Sequence, residues 1–409
     1  MESPIAVSNP SPMNYSCRTS HVELIRSDLN GHVQSGTGLD DLVKVSRCVK
    51  PTNPKEATSL VFQGTLMCRA VFGKIVWRNV DQQGGANTER KLMENQLFRA
   101  VKNGRTPCIP MRYTSLKLKF TNFLDTEVFR SVRDVMREGG GRQSSDQSLY
   151  VLLMEDCEGI TLAKYMSSEG SCDDIHAIVF MLYHALSVLR DIGVGHNDLH
   201  AQNIILRSID PTGVSFGDRS FQTSIIPYII DWDMGRSDSA RNSNLVNYNH
   251  VGIWDTENGL FDTIGLTKTL YWIKRRFRDP RCRAQSTEFT KIISVLETIM
   301  QPVRSHHSWL FKEALTITSK DGEVEHLDTV QQTPYVPDLR TGKAQRKWPS
   351  SVARDAPSLH SVTDALYMDM EAGKKGCESV ETFDFPGTVR EVSAPETPPN
   401  KRAKTTCQQ

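Results

Sequence analysis

His196-Asn197-Asp198-Leu199-His200-Ala201-Gln202-Asn203-Ile204-Ile205-Leu206 is the stretch on which the reading of this chain turns. It reads as a polar turn that ends in a short apolar strand. After an insertion comes Tyr228-Ile229-Ile230-Asp231-Trp232-Asp233-Met234-Gly235, an apolar strand that delivers an acidic pair to its own C-terminal end. Together the two stretches put a carboxylate, an amide and a second carboxylate on adjacent loop ends. Such a set of oxygen ligands suits Mg²⁺ held against a nucleotide triphosphate.

The pattern His-x-Asp-x-x-x-x-Asn followed by Asp-x-x-x-Gly resembles the protein-kinase-like superfamily, whose usual spellings are His-Arg-Asp and Asp-Phe-Gly. Asp198-Leu199-His200, and Ile230-Asp231-Trp232 in place of Asp-Phe-Gly, look more like aminoglycoside phosphotransferases and the divergent serine/threonine protein kinases of large DNA viruses. The resemblance covers roughly residues 30 to 320 and implies an α+β, bilobal fold. Its small, mostly β N-lobe would span residues 21–154 with insertions, and its larger, mostly helical C-lobe 155–340. Residues 1–20, rich in Ser, Pro and Asn, read as a disordered arm, and 345–409 as a disordered polar tail.

Bulk properties narrow the function classes. A formal net charge of +1 over 409 residues gives no global pull towards nucleic acid or a membrane surface. Nine cysteines are scattered with no Cys-x-x-Cys pair, so neither a zinc knuckle nor a disulfide framework is indicated. The opening Met-Glu-Ser-Pro lacks the basic and then apolar regions of a signal peptide. The most apolar run, Ile175 to Leu189, is shorter than the roughly 20 residues that span a bilayer. These features lead to the expectation of an intracellular protein with no membrane partner. Lys401-Arg402-Ala403-Lys404 has the form of a short nuclear-import motif.

The remaining motifs follow in the order the resemblance requires. Gly36 and Gly38 match a glycine loop over phosphates, although its third glycine position is Asp41, whose charge would repel them. Residues 50–64 read as an inserted loop. The apolar run Thr65 to Trp77 carries Lys74, the lysine that would grip the α- and β-phosphates. In the helix read over Glu89 to Val101, Glu94 would pair with that lysine, with Glu89 the runner-up. Tyr150 to Gly159 resembles the hinge, with Met154 guarding an adenine pocket and backbone groups of Glu155 to Cys157 meeting the adenine edge. A helix capped by Asp173 runs on one apolar face through Leu189 to Gly193 and feeds the central motif.

At the site, the resemblance implies that Asp198 orients the attacking hydroxyl. Asn203 and Asp231 would hold Mg²⁺ against ATP, with Asp233 a second candidate ligand. His196 would order the loop backbone, and His200 would either reach the γ-phosphate or substrate, or only pack. Asn197 stands where an arginine reads activation-segment phosphate, so that form of switching is not expected. Asp262, at the start of a buried helix, would brace the catalytic loop. The segment from Arg236 to Asn249 lacks Ala-Pro-Glu, which leaves a protein hydroxyl and a small-molecule hydroxyl both open as acceptor. A binding module without turnover is the reading in a different class. The basic run Lys274 to Arg283 reads as a solvated helix end.

Overall fold

A computed structural model describes residues 43–49, 59–66, 69–76, 80–119, 148–167, 174–216, 219–240, 283–302, 315–318, 324–328 and 357–373. It also describes isolated positions within 22–25, 130–135 and 262–270. Residues 1–20, Gly36, Gly38, Asp41, Asp173, the run 274–282 and residues 374–409 lie outside this set. So does the Lys401–Lys404 motif.

An antiparallel sheet forms first along the chain from β1 (Val43–Val49), β2 (Ser59–Leu66), β3 (Arg69–Val76), β4 (Arg112–Lys119) and β5 (Ser148–Glu155). Its spatial order is β1-β2-β3-β5-β4. Part of β2 falls where the sequence reads as a loop. The strand forms because Leu60, Phe62 and Leu66 alternate inward while Ser59, Val61 and Gln63 stay at the surface, the period-2 signature of a half-buried strand. Gly73 on β3 is required by the same face: a Cβ there would sit 2.0 Å from the Phe62 ring. Alternation then turns Lys74 to the opposite face. Register pairs Phe72 with Met154 and Lys74 with Leu152, which places the lysine beside the middle of β5.

Helix α1 (Val80–Glu94) and helix α2 (Gln96–Lys102) replace the single helix expected over 89–101. The break is at Asn95, whose backbone has φ −110° and ψ −87°. After β5, the short strand β6 (Ile160–Thr161) and helix α3 (Leu162–Ser167) lead to helix α4 (Ile175–Asp191). Thirteen residues of α4 are buried, on all sides of the helix, which is the mark of a core helix. Asp174 precedes it, but its carboxylate caps nothing and instead accepts from Ser224 and Thr223. The helix ends as a Schellman turn: Gly193 has φ +66°, its N–H bonds Arg190 O, and the Val194 N–H bonds Leu189 O.

A three-stranded antiparallel sheet, β6-β7-β8, covers α4 with the long hairpin β7 (Ile204–Phe216) and β8 (Arg219–Ile229). Phe180 on the helix meets Phe216 and Phe221 of the hairpin edge-on. Helix α5 (Arg283–Ile299) begins six residues before the expected Phe289, and β9 (Leu315–Thr318) pairs with β10 (Val324–Asp328).

The reading of 345–409 as a disordered polar tail needs correction at residues 359–373. Helix α6 (Leu359–Gly373) lies within it and packs on α4 and α5. Leu359, Val362, Thr363 and Leu366 are buried, and Tyr367 meets the Phe180 ring. Their i, i+3, i+4, i+7 spacing is a narrow apolar stripe inside a polar composition, enough for a helix that others cover. The whole is α+β, with antiparallel sheets and helices, an architecture compatible with the kinase-like fold that the motifs resemble. Among the described residues no helix is long and apolar enough to cross a membrane.

Candidate active site

Strand pairing assembles the centre. Ile204 at the start of β7 pairs with Ile229 at the end of β8, so the residues just outside the hairpin ends must be neighbours. The Ile230 N–H donates to Asn203 O at 3.0 Å, and Asp231 follows immediately. A second bridge closes the other side: Gly195 and Arg236 exchange two backbone hydrogen bonds of 2.9 Å. Between these two ties, both motifs are held by side chains reaching to backbone.

His196 is buried, and its ring hydrogen bonds go to loop backbone. Its Nδ1 accepts the Asp198 N–H at 3.2 Å, so Nε2 carries the proton and donates to Ile230 O at 2.8 Å. The ring packs on buried Trp232, 4.6 Å between centroids. Asp262 receives the His196 and Asn197 N–H groups at 2.7 and 2.8 Å, one on each carboxylate oxygen. Burial pushes its carboxyl upward, against the opposing pull of His196 and the two amides. Asn197 and Asp231 both sit in left-handed backbone, at φ +63° and +65°. For non-glycine residues that conformation costs on the order of 1–3 kcal/mol and persists only where the surroundings enforce it. The enforcing contact for Asn197 is its own amide, which donates to Met234 O at 3.1 Å. Asn197 therefore ties one motif to the other.

Asp198 keeps a partly exposed carboxylate. Asn203 reaches back across the turn, its amide nitrogen donating to Asp198 O at 2.9 Å and to Oδ2 at 3.3 Å. That fixes the amide nitrogen and turns the amide oxygen of Asn203 into the available ligand atom. His200 caps the short helical turn 201–203 through Nδ1, which accepts the Gln202 N–H, while Nε2 lies 3.8 Å from Asp198 Oδ2.

Lys74 sits in an acidic nest. Its ammonium is 2.5 Å from Asp231 Oδ1, 3.2 Å from Glu89 Oε2 and 3.8 Å from Asp233 Oδ2. The expected partner Glu94 is not there. It faces the other way, bound to Arg90 at 2.9 Å and Arg112 at 2.7 Å. The reason is helical phase: Glu89 shares a face with buried Leu92 and Met93, three and four residues on. Five residues of helix turn through about 500°, which puts Glu94 well off that face. Glu89 is 1% exposed and also accepts the Trp232 N–H.

The nest sets its own titration. Burial opposes the charge on Lys74, but Asp231, Glu89 and Asp233 hold its pKa well above the ordinary lysine value. Burial raises Glu89 despite Lys74. Burial also works on Asp231, yet there Lys74 prevails and the carboxyl lies below its usual range. Asp233 is pushed up to about 7 by burial, with the Asp231 charge adding to it. One ammonium facing three carboxylates leaves a deficit of positive charge, and the further donors are hard oxygens of Asp231, Asp233 and Asn203. Mg²⁺ fits that chemistry. Among the described residues no cluster of three or more His, Cys, Asp or Glu side chains makes a metal cage. A cation taken here would be shared with ligand oxygens, as Mg²⁺ usually is.

An open cavity of about 250 Å³ adjoins the nest. Val61, Phe72, Met154, Ile205 and Ile230 give it an apolar lining, and Lys74, Glu89 and Asp231 line it too. The segment Glu155 to Gly159 forms its edge, including Cys157. The Glu155 N–H is committed to Met111 O at 2.8 Å, and its carboxylate accepts the Met111 N–H at 3.1 Å. An adenine edge would therefore have to use other backbone groups there. Gln63, which the sequence did not single out, donates to the Asp156 side chain at 3.0 Å, and both line the cavity. Arg207 stands 3.8 Å from both Glu155 and Glu158. No sequence pattern marks Gln63 or Arg207; only the strand register brings each to its partner. Gly36 and Gly38 lie outside the described residues.

The chain matches no known protein family and no curated protein. Among solved structures it is similar to the autoinhibited serine kinase domain of the giant muscle protein titin, at 15% identity and a TM-score of 0.31. The similarity takes in 49% of this chain and 48% of that one, about half the length of each.

Proposed function

We propose that the chain is an ATP-dependent phosphotransferase, a divergent serine/threonine protein kinase that moves the γ-phosphate of ATP to a hydroxyl. One observation carries the reading: the buried ammonium of Lys74 lies between Glu89 and Asp231, at the edge of an apolar cavity and beside the Asp198–Asn203 turn. In a phosphoryl transfer the protein's task is positioning and charge neutralisation. Lys74, held in place by Glu89, neutralises the α- and β-phosphates. Asp198 takes the proton of the acceptor hydroxyl as its oxygen bonds the γ-phosphorus. The bond from that phosphorus to the β-phosphate oxygen breaks, and ADP departs. Asp231 and Asn203 would hold Mg²⁺, with Asp233 adjacent. When bound, that ion supplies neutralisation of the phosphate oxygens.

A small-molecule acceptor of the aminoglycoside type is the second reading. Two features favour it: His200 stands beside Asp198, and Asn197 bonds Met234 where the protein-kinase pattern has an arginine. An assay with γ-labelled ATP against protein and small-molecule hydroxyl acceptors separates the two.

Nucleotide binding is tested first. A ligand that binds only the native state must raise the unfolding midpoint, so Mg·ATP is expected to raise it in a thermal-shift measurement. Absence of a shift at millimolar nucleotide would leave a scaffold without nucleotide. The corrected ion pair gives a second test. Glu89→Gln should cut turnover by at least about tenfold, since it removes a buried charge-assisted contact to Lys74. Glu94→Gln should remain near wild type, because its amide oxygen still accepts from Arg112. Steady-state turnover of the two variants decides, and equal losses would put the lysine's partner back in question.

A further inference from the structure

Three side chains on one face of the α1–α2 rod meet, in order, the segment that follows Asp231. Glu89 accepts the Trp232 N–H at 3.3 Å. Leu92 presses on Gly235 so closely that a Cβ there would lie 2.6 Å from its Cδ1. Gln96 donates its amide to Ser237 Oγ at 3.0 Å and to Ser239 Oγ at 2.9 Å. Positions 89, 92 and 96 are i, i+3 and i+7, a single helical face. The break at Asn95 does not interrupt that face, because the Asn95 N–H still bonds Lys91 O and the Arg99 N–H bonds Asn95 O.

The receiving side is itself built. Buried Ser237 accepts the Ala240 N–H at 3.1 Å and lies 3.2 Å from Ser239 Oγ, while the Ser237 N–H bonds Ala240 O. Arg236, one residue earlier, is bridged to Gly195 beside the central motif. Gln96, at the start of α2, thus fastens the α1–α2 rod that carries Glu89 to the same segment whose beginning carries Asp231.

We propose that Gln96 is a positioning residue: with Ser237 and Ser239 it forms an uncharged latch that keeps Glu89 on Lys74. The catalytic half of this inference rests on the phosphotransfer reading. The latch acts through placement alone, and misplacement of a reacting group by about 1 Å can cost on the order of 10²-fold in rate. Because both partners are neutral, the latch needs no phosphate on the segment and no arginine at position 197. It fits a helix held in place permanently rather than by modification.

The test compares Gln96→Leu and Gln96→Glu with the wild-type chain by amide hydrogen exchange over residues 80–94 and by steady-state kinetics. Gln96→Leu removes both donors. It should speed exchange in α1 and lower kcat by about tenfold, the scale of one or two neutral hydrogen bonds, with KM for ATP within about twofold. Gln96→Glu should recover most of both, since a carboxylate can accept from the two serine hydroxyls. A merely structural glutamine would give no such rescue. If Gln96→Leu does not fold, Ser239→Ala carries the same comparison, because it removes only the exposed half of the latch. Unchanged exchange in α1, or a Gln96→Glu variant no better than Gln96→Leu, overturns the proposal. If the wild type turns over no ATP, the phosphotransfer reading fails instead, and the exchange data alone decide the latch.

Discussion

Asp198→Asn is expected to lower kcat by roughly 10²–10⁴-fold, the usual range for loss of a general base, with ATP affinity close to wild type. The loop should survive the change. The stronger of the two Asn203 bonds goes to the Asp198 carbonyl, and the Asp198 N–H is held by His196. What disappears is a carboxylate that acts as the acceptor hydroxyl is deprotonated, a transition-state interaction rather than a ground-state one. Asp231→Asn should differ in kind. Asp231 lies in the nest itself, 2.5 Å from Lys74, and its loss removes a charged oxygen from the place where a cation would bind. Mg·ATP affinity should then fall together with turnover. Kinetics and nucleotide titration of both variants check this. If Asp198→Asn weakened ATP binding as much as Asp231→Asn, or left turnover intact, the role given to Asp198 would be wrong.

What the sequence made legible was local. Asp198, Asn203 and Asp231 lie within turns whose geometry follows from a few adjacent residues, and the β7–β8 register then has little freedom but to bring their ends together. Asp262 was legible only through the resemblance of its helix start to the kinase-like pattern; the structure adds the two backbone N–H groups that it accepts. Glu89 was harder. The apolar positions 93, 97, 100 and 101 suggested one helix beginning at 89, whereas the rod starts at Val80 and breaks at Asn95. With the start misplaced, the phase that separates Glu89 from Glu94 could not be read. Strand β2 and helix α6 were missed because each lies next to or within a stretch read by its polar flanks, 50–58 before β2 and the tail around α6, so the local apolar period went unread. Gln63, Arg207 and Gln96 carry no sequence signal of their own, and Asp156 was legible only as part of the hinge backbone. Each acquires its partner only when distant segments meet, 141 residues apart for Gln96 and Ser237.

Lys74→Met should abolish most turnover, and its second effect should depend on pH. The ammonium lies within 4 Å of carboxylate oxygens of Glu89, Asp231 and Asp233, and its side chain is 11% exposed. Removing one partner of a buried pair leaves the other charge uncompensated, typically at a cost of about 3–5 kcal/mol. Glu89 can escape that cost by taking up a proton. Its folded-state pKa is already raised by burial against the pull of Lys74, and without the lysine it must rise further. A carboxyl whose folded pKa exceeds its unfolded one contributes stability below the unfolded value, and that contribution is lost as pH rises through the folded pKa. The destabilisation caused by Lys74→Met should therefore be smallest near pH 5 and grow towards about pH 8, above the ordinary carboxylate range. Unfolding midpoints of both proteins across that range provide the measurement. A pH-independent difference would mean that Glu89 stays charged without its partner. Near-normal turnover would mean that another lysine, such as exposed Lys44 on β1, meets the phosphates and that β3 does not carry the phosphate-gripping residue.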